Sequence, residues 1–232
     1  MKRFYEDVQL IQEDKGYFIT LDGKKIRTPS RQMLELPAPT LAQAIVSEWR
    51  DQIEEIRPAE MPLTQLANTA IDRTRSHRAG VIEQVASYAQ TDLLCYRAAM
   101  PRDLAERQVA GWQPLLDWGE AEFGASLAVT TDLAPLEQSE QSLLAIHTTV
   151  VKQDVFSLTG LHAATAASGS VIIGLALLRR RLGADEAWSL AQLDEHYQSG
   201  RWGEDPDATA QRESVRRAMT DASSFMVLSQ FD

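Results

Sequence analysis

The sequence predicts an α+β chain: a small N-terminal antiparallel β-sheet domain with a helix, spanning residues 1–62, followed by a larger mostly α-helical domain over residues 63–232. Two observations carry that prediction. Short strand-like runs broken by a two-residue turn signal crowd residues 4–36, whereas apolar residues recur at helical spacing along almost everything after Pro58 and Pro62. With 232 residues the chain can bury a full core without a covalent staple.

The elements follow in order. Val8, Leu10 and Gln12 belong to one extended run and Tyr17-Phe18-Ile19-Thr20-Leu21 to a second. Asp22-Gly23 is a strong hairpin signal leading into Lys24-Lys25-Ile26-Arg27-Thr28, so a small antiparallel sheet is expected. After Pro37 and Pro39, Thr40 with Gln43 three residues on reads as a capping box that opens a helix. Leu41, Ile45, Trp49, Gln52, Ile53 and Ile56 would form its apolar face against the sheet. Pro58 and Pro62 mark the change of regime. Beyond them Leu63, Leu66, Ala67, Ala70, Ile71 and Thr74 form one stripe, and Val81, Ile82, Val85, Tyr88 and Ala89 the next. Asp103 with Glu106 suggests another helix start, with periodicity through Leu104, Gln108, Leu115, Leu116 and Phe123, and Pro114 is expected to kink or divide that helix. Ala128 to Thr131 reads as extended, Ser139 to Lys152 as helical through Leu143, Ile146 and Val150, and Asp205-Pro206 as an N-cap followed by proline at the first helical position.

One stretch resembles a membrane span. Phe156 to Leu178 holds no formally charged residue and is followed by Arg179-Arg180-Arg181. Serines, threonines and glycines dilute it, and only Val171 to Leu178 is strongly apolar, so two packed helices meeting near Ser168-Gly169-Ser170 are expected. Gly160, Ala164 and Ser168 would let neighbouring helices approach closely.

Charge and cysteine usage exclude several classes. Lys plus Arg total 23 against 33 Asp plus Glu, a net charge of −10, which argues against nucleic acid or an acidic membrane surface as partner. Residues 1–62 carry 9 basic and 11 acidic side chains, and the remainder 14 and 22, so most of the excess lies in the second part. Cys95 has no second cysteine to pair with, and beside Leu93 and Leu94 it reads as a buried, inert thiol. The opening Met1-Lys2-Arg3-Phe4-Tyr5-Glu6-Asp7 turns acidic where a signal peptide would need an apolar stretch, so a cytoplasmic protein or a processed organellar one is expected.

Catalytic signatures are missing. There is no phosphate-binding glycine loop, no GxGxxG, no GxSxG and no HExxH, and the four histidines at 77, 147, 162 and 196 lack metal spacing. No cofactor and no metal are expected. The best enzymatic alternative is a hydrolase or metal-dependent enzyme using the acids near Glu204: Asp194 and Glu195 at a helix end, with Glu204, Asp205 and Asp207 across a short turn. Their bland reading is structural, with Asp205 capping a helix and Glu204 and Asp207 at its positive end. Trp49, Trp112, Trp118 and Trp188 fall on apolar or mixed helix faces and suit a core. Trp202 follows Ser199-Gly200-Arg201 in a predicted turn and precedes Gly203, whose role would be a backbone angle that a side chain forbids. An exposed tryptophan ringed by acids has the composition of a binding hot spot.

Several short strings together resemble one family. Lys2-Arg3-Phe4-Tyr5, Leu21-Asp22-Gly23-Lys24 then Thr28-Pro29, Glu48-Trp49 with Gln52, Met61-Pro62-Leu63-Thr64, Asp92-Leu93-Leu94-Cys95-Tyr96-Arg97 and Trp202-Gly203-Glu204-Asp205 occur in the order and approximate spacing of the assembly chaperones of the F-type ATP synthase alpha subunit. The resemblance covers about residues 2–207. It implies a non-enzymatic chaperone of mitochondria and some bacteria, placed in the cytoplasm of a bacterium or in the mitochondrial matrix. Such a protein would hold the unassembled alpha subunit and prevent its aggregation until the beta subunit replaces it, without membrane insertion. By the family pattern Trp202, Glu204 and Asp205, with Glu195 and Gln198, are candidate contacts, and Glu48, Trp49, Asp92 and Tyr96 are structural or contact residues.

Overall fold

The computed structural model describes residues 1–13, 16–132, 134–203 and 205–230. Three strands form one antiparallel sheet, β1 (Val8–Glu13), β2 (Gly16–Leu21) and β3 (Lys24–Lys25), in the order β1-β2-β3. Val8 pairs with Leu21 and Glu13 with Gly16, which sets β1 against β2 along their whole length. Asp22 and Gly23 close the second hairpin with φ of 48° and 76°, the two positive angles that a two-residue turn of matching twist requires. The Asp22 carboxylate also accepts the N–H groups of Glu6 and Asp7 at 3.1 and 2.8 Å, and these bonds hold it below the usual carboxylate range. The third strand is shorter than the run from Lys24 to Thr28 suggested. Beyond Lys25 the chain turns at Thr28–Arg31 and returns through an isolated Arg27–Met33 bridge.

Among the described residues ten α-helices follow. They are α1 (Pro39–Arg50), α2 (Pro62–Thr69), α3 (Arg78–Ser87), α4 (Arg102–Phe123), α5 (Glu140–Val151), α6 (Val155–Ser168), α7 (Val171–Leu178), α8 (Ala184–Ala191), α9 (Leu193–Trp202) and α10 (Pro206–Ser229). The helix at α1 starts a residue before Thr40, at Pro39, with Ala38 as N-cap and no side-chain cap. Thr40 therefore lies inside the first turn, and its hydroxyl donates to the Leu228 carbonyl at 2.7 Å in place of a capping box. Because the helix stops at Arg50, Ile53 falls off the apolar face and is 81% exposed, while Gln52 is buried and ties the following loop through the Arg57 N–H at 2.7 Å.

The chain packs as two compact units, one of Met1–Arg78, Asp154–Gly160 and Ser224–Asp232, the other of Ala79–Gln153 and Leu161–Ser223. In the first, Leu41, Ala42, Ile45 and Val46 of α1 lie on Val8, Ile19 and Leu21 of the sheet, and Ala67, Ala70 and Ile71 extend this core. Two phenylalanines distant in sequence, Phe156 and Phe225, stack in it with centroids 5.9 Å apart. Asp154 starts α6 by accepting the Phe156 and Ser157 N–H groups at 2.8 and 3.1 Å.

The second unit is built around α7, all eight of whose residues are buried. Gly169, with φ of 71°, ends α6, and Ser170 caps α7 through the Ile173 N–H at 3.1 Å, so the apolar stretch breaks into two helices where its small polar residues lie. No helix among the described residues is long and apolar enough to cross a membrane. Close approach inside this apolar segment falls at Gly174, where an added Cβ would meet the Thr165 hydroxyl at 2.5 Å. Pro114 lies inside α4 without dividing it. It is exposed, so the carbonyl it leaves without a donor can turn to water. Trp112 on the opposite side is fully buried and donates from its indole to the Leu190 carbonyl at 2.9 Å.

An unforeseen contact organises the first unit. Glu48, on α1, presents its Oε1 to the Leu63 N–H at 2.7 Å and its Oε2 to the Thr64 N–H at 2.8 Å and the Thr64 hydroxyl at 2.6 Å. A carboxylate here satisfies two free donors of α2 and sits at the positive end of its dipole. Glu48→Ala should lower unfolding stability by about 1–3 kcal/mol, and Glu48→Gln, which keeps one acceptor but no charge, by less. Urea unfolding followed by circular dichroism measures both.

Candidate functional site

The acidic aromatic segment singled out in the sequence folds as α9, and its two faces have different fates. Asp194, Tyr197 and Arg201, spaced i, i+3 and i+7, turn toward α4. The Asp194 carboxylate accepts from the Gln108 amide at 2.7 Å. The Tyr197 hydroxyl donates to Asp103 at 2.8 Å, and the Arg201 guanidinium reaches the other Asp103 oxygen at 3.1 Å. Donation from Tyr197, with Arg201 nearby, holds the Asp103 carboxyl below its ordinary range. The guanidinium groups of Arg107 and Arg201 lie 5.5 and 4.9 Å from the centre of the Tyr197 ring.

This anchoring carries the helix through Ser199, Gly200 and Arg201, where a turn was expected, so that Trp202 is its last residue. Asp194 and Glu195 correspondingly lie in the first turn of α9, the end at which a helix dipole favours acids. The second face holds Glu195, Gln198 and Trp202, again spaced i, i+3 and i+7, and all three are exposed. Trp202 is 77% exposed, an unusual state for so large an apolar ring. Gly203 stops the helix at φ of 90°, a conformation that a side chain would strain.

Glu204 lies outside the described residues. Asp205 is exposed, and its Oδ1 accepts the Asp207 N–H at 2.9 Å while its carbonyl accepts that of Thr209 at 2.9 Å, the geometry of an N-cap ahead of Pro206. Close by in sequence to Asp103, α4 exposes further apolar surface. Met100, two residues ahead of the helix, is 76% exposed, and Val109, four residues after Ala105 on the helix, is 50% exposed. Sequence reasoning passed over this strip because a periodic stripe does not by itself say which of two apolar faces meets water.

The remaining family-motif residues make contacts within the chain. Trp49 packs against Tyr5 at 5.6 Å, accepts the Tyr5 hydroxyl on its carbonyl at 2.7 Å, and keeps a buried indole N–H with no partner among the described residues. Tyr96 accepts the Leu136 N–H on its hydroxyl at 3.2 Å and pairs with Thr130 in a parallel bridge, the extended contact expected around Ala128 to Thr131. Asp92 is completely buried. It accepts the Leu94 N–H at 3.0 Å and the Ile172 N–H at 3.3 Å, capping a short 3₁₀ turn and the start of α7 together. Burial pushes its carboxyl up to about 6, against hydrogen bonds from Ser170, Leu94, Ile172 and Val171 that pull it down. The neighbouring Cys95 is buried, and burial, with the Asp92 charge added, pushes its thiol up to about 12. A thiol so protonated is no nucleophile.

No group of three or more His, Cys, Asp or Glu side chains among the described residues could hold a metal ion. Fold and site together present an aromatic helix end whose opposite face is fixed to α4, an arrangement suited to a binding protein. The comparisons show the family. The model of the ATP12 chaperone protein family matches residues 2–120, and the chain belongs to that family. It is 40% identical to Atp12 of Paracoccus denitrificans, whose crystal structure superposes with a TM-score of 0.95 over 99% of this chain and 98% of that one. The Agrobacterium tumefaciens protein Atu1473 is 37% identical, with a TM-score of 0.92 over 98% and 85% of the two chains. The mitochondrial protein atp12 of Schizosaccharomyces pombe is 25% identical over 219 residues, 89% of this chain and 75% of its own. Members of this family are chaperones for ATP synthase assembly rather than enzymes.

The raised Asp92 carboxyl has a measurable consequence. In the folded chain it binds a proton up to a pH near 6, whereas in the unfolded chain it releases one near its ordinary value. Its contribution to stability is therefore fully present below about pH 4 and is lost as pH rises through about 6. The difference in unfolding free energy between wild type and Asp92→Asn should follow that curve between pH 4 and 7. A flat difference would show that the carboxyl titrates normally.

Proposed function

We propose that this chaperone binds the unassembled alpha subunit of the F-type ATP synthase catalytic head and shields it from aggregation until the beta subunit takes its place. It would act in the cytoplasm of a bacterium or in the mitochondrial matrix. The observation that carries the reading is the outward face of α9: an exposed Trp202 aligned with exposed Glu195 and Gln198 on a helix whose other face is fixed to α4. An orphan subunit exposes an apolar interface, and covering it requires neither cofactor nor chemistry. A rigid aromatic anchor with a polar surround gives binding that is specific yet reversible, because most of the energy of such an interface resides in a few residues. Acids at Glu195, Glu204 and Asp205 suit a basic rim on the client. Met100 and Val109 offer apolar area within reach of the same end of α4.

Co-expression with the host's isolated alpha subunit, followed by pull-down and an assay of soluble yield, tests this. Trp202→Ala should weaken capture by at least about thirtyfold, the loss of one hot-spot residue of about 2 kcal/mol, without changing melting. Asp205→Asn retains the helix cap and removes the charge, so it separates contact from capping: weaker capture at unchanged melting assigns Asp205 to the interface. If wild-type protein leaves the alpha subunit to precipitate at the rate seen in buffer, the reading fails.

A further inference from the structure

A second surface of opposite charge lies elsewhere on the same unit. A groove of about 460 Å³ lies between the C-terminal end of α4 and α5, and Phe123, Leu144, Ala145 and Thr148 are among its lining. Leu144 is 66% exposed because it sits off the buried stripe of α5, which comprises Ser142, Ile146, Thr149 and Val150. Val151, two turns further along the helix, is 38% exposed, so α5 carries a second apolar line on its outer side. Lys152 and Arg179 border the groove at the C-terminal ends of α5 and α7. Neither forms an ion pair among the described residues, and Arg179 only overlies the Phe123 ring at 6.0 Å. By contrast Lys25, Arg57, Arg102, Arg201 and Arg216 are each paired with a carboxylate, in a chain where acids outnumber bases by 33 to 23. Among the described residues Glu122 is the one acid lining the groove.

We propose that this groove is a second docking surface for the alpha subunit and takes an amphipathic segment of it that carries carboxylates beside its apolar residues. The inference rests on the function proposed above. Exposed Leu144 with Phe123 and Ala145 supplies the apolar contact, in the manner of a helix laid into a groove, and Lys152 and Arg179 supply charge complementarity. Opposite signs at the α9 end and at this groove would fix the orientation of the client, since a reversed docking would set like charges against each other.

The test uses the full-length chain and the host's isolated alpha subunit, with affinity measured by biolayer interferometry at two salt concentrations. Lys152→Gln/Arg179→Gln should weaken binding by about tenfold at low salt and reduce the salt dependence. Leu144→Asp should weaken it by at least as much, Lys24→Glu on β3 in the other unit should leave it unchanged, and melting should stay within about 2 °C throughout. If the groove variants bind like wild type while Trp202→Ala fails, the groove is no docking site and the proposed function stands. A double variant that melts earlier but binds equally well below its transition makes Lys152 and Arg179 helix caps only, which also overturns the inference. If the wild type itself does not bind, both readings fall.

Discussion

The buried carboxylate of Asp92 is the constraint on which the second unit depends. A helix sunk entirely in apolar surroundings cannot leave its first N–H groups to water, and each unsatisfied donor would cost about 1–3 kcal/mol. At α7 those donors are met by Asp92 and Ser170, so an eight-residue helix of Val, Ile, Leu, Gly and Ala can occupy the centre. Around it packs α4, with Gly119 accommodating Ile172 so closely that an added Cβ would meet it at 3.1 Å. Along α4, in turn, Asp103 and Gln108 hold Tyr197, Arg201 and Asp194. The exposure of Trp202 thus follows from a chain of packed contacts that begins at a carboxylate no partner can touch.

Much of the acidic excess of this chain is occupied structurally. Glu48, Asp92, Asp154 and Asp205 each satisfy backbone donors at the start of a helix, Asp22 closes the turn beside β1, and Asp103 holds a tyrosine and an arginine. Carboxylates suit these positions because they accept several hydrogen bonds at once and complement the positive helix end. Net charge alone therefore says little about how much negative field remains for a partner. What remains exposed on α9 is Glu195, beside Gln198 and Trp202.

Local signals in the sequence were legible wherever a residue acts on its own neighbourhood. Asp22-Gly23 announces a turn because both positions must adopt positive φ, and Ser168-Gly169-Ser170 announces a helix break because a left-handed glycine and a hydroxyl cap work within three residues. Asp205-Pro206 is of the same kind. Contacts between distant residues were not legible. Glu48 reaches Leu63 and Thr64 across fifteen and sixteen positions, and Asp92 reaches Ile172 across eighty. Where such contacts compete with a local rule, the local rule loses: Thr40 gives up its capping role for the Leu228 carbonyl, and Gly200 stays helical because Tyr197 and Arg201 on either side are fixed to Asp103. Periodicity places Glu195, Gln198 and Trp202 on one face, but only the partners of Asp194, Tyr197 and Arg201 say which face is turned outward.

For the proposed function, in which a client is held and then released, a rigid support matters. If the contact residues sat on a mobile loop, ordering them on binding would cost conformational entropy, and a larger apolar area would be needed to offset it. A larger apolar area would also favour self-association of the free chaperone. If Trp202 is the contact proposed above, holding it at the end of a helix braced by Asp103 would avoid that trade, since the ring would be presented without prior ordering and a small interface would suffice. Under the proposed function, release would require only that a competing subunit cover the same client surface over a greater area, with no energy-consuming step in the chaperone.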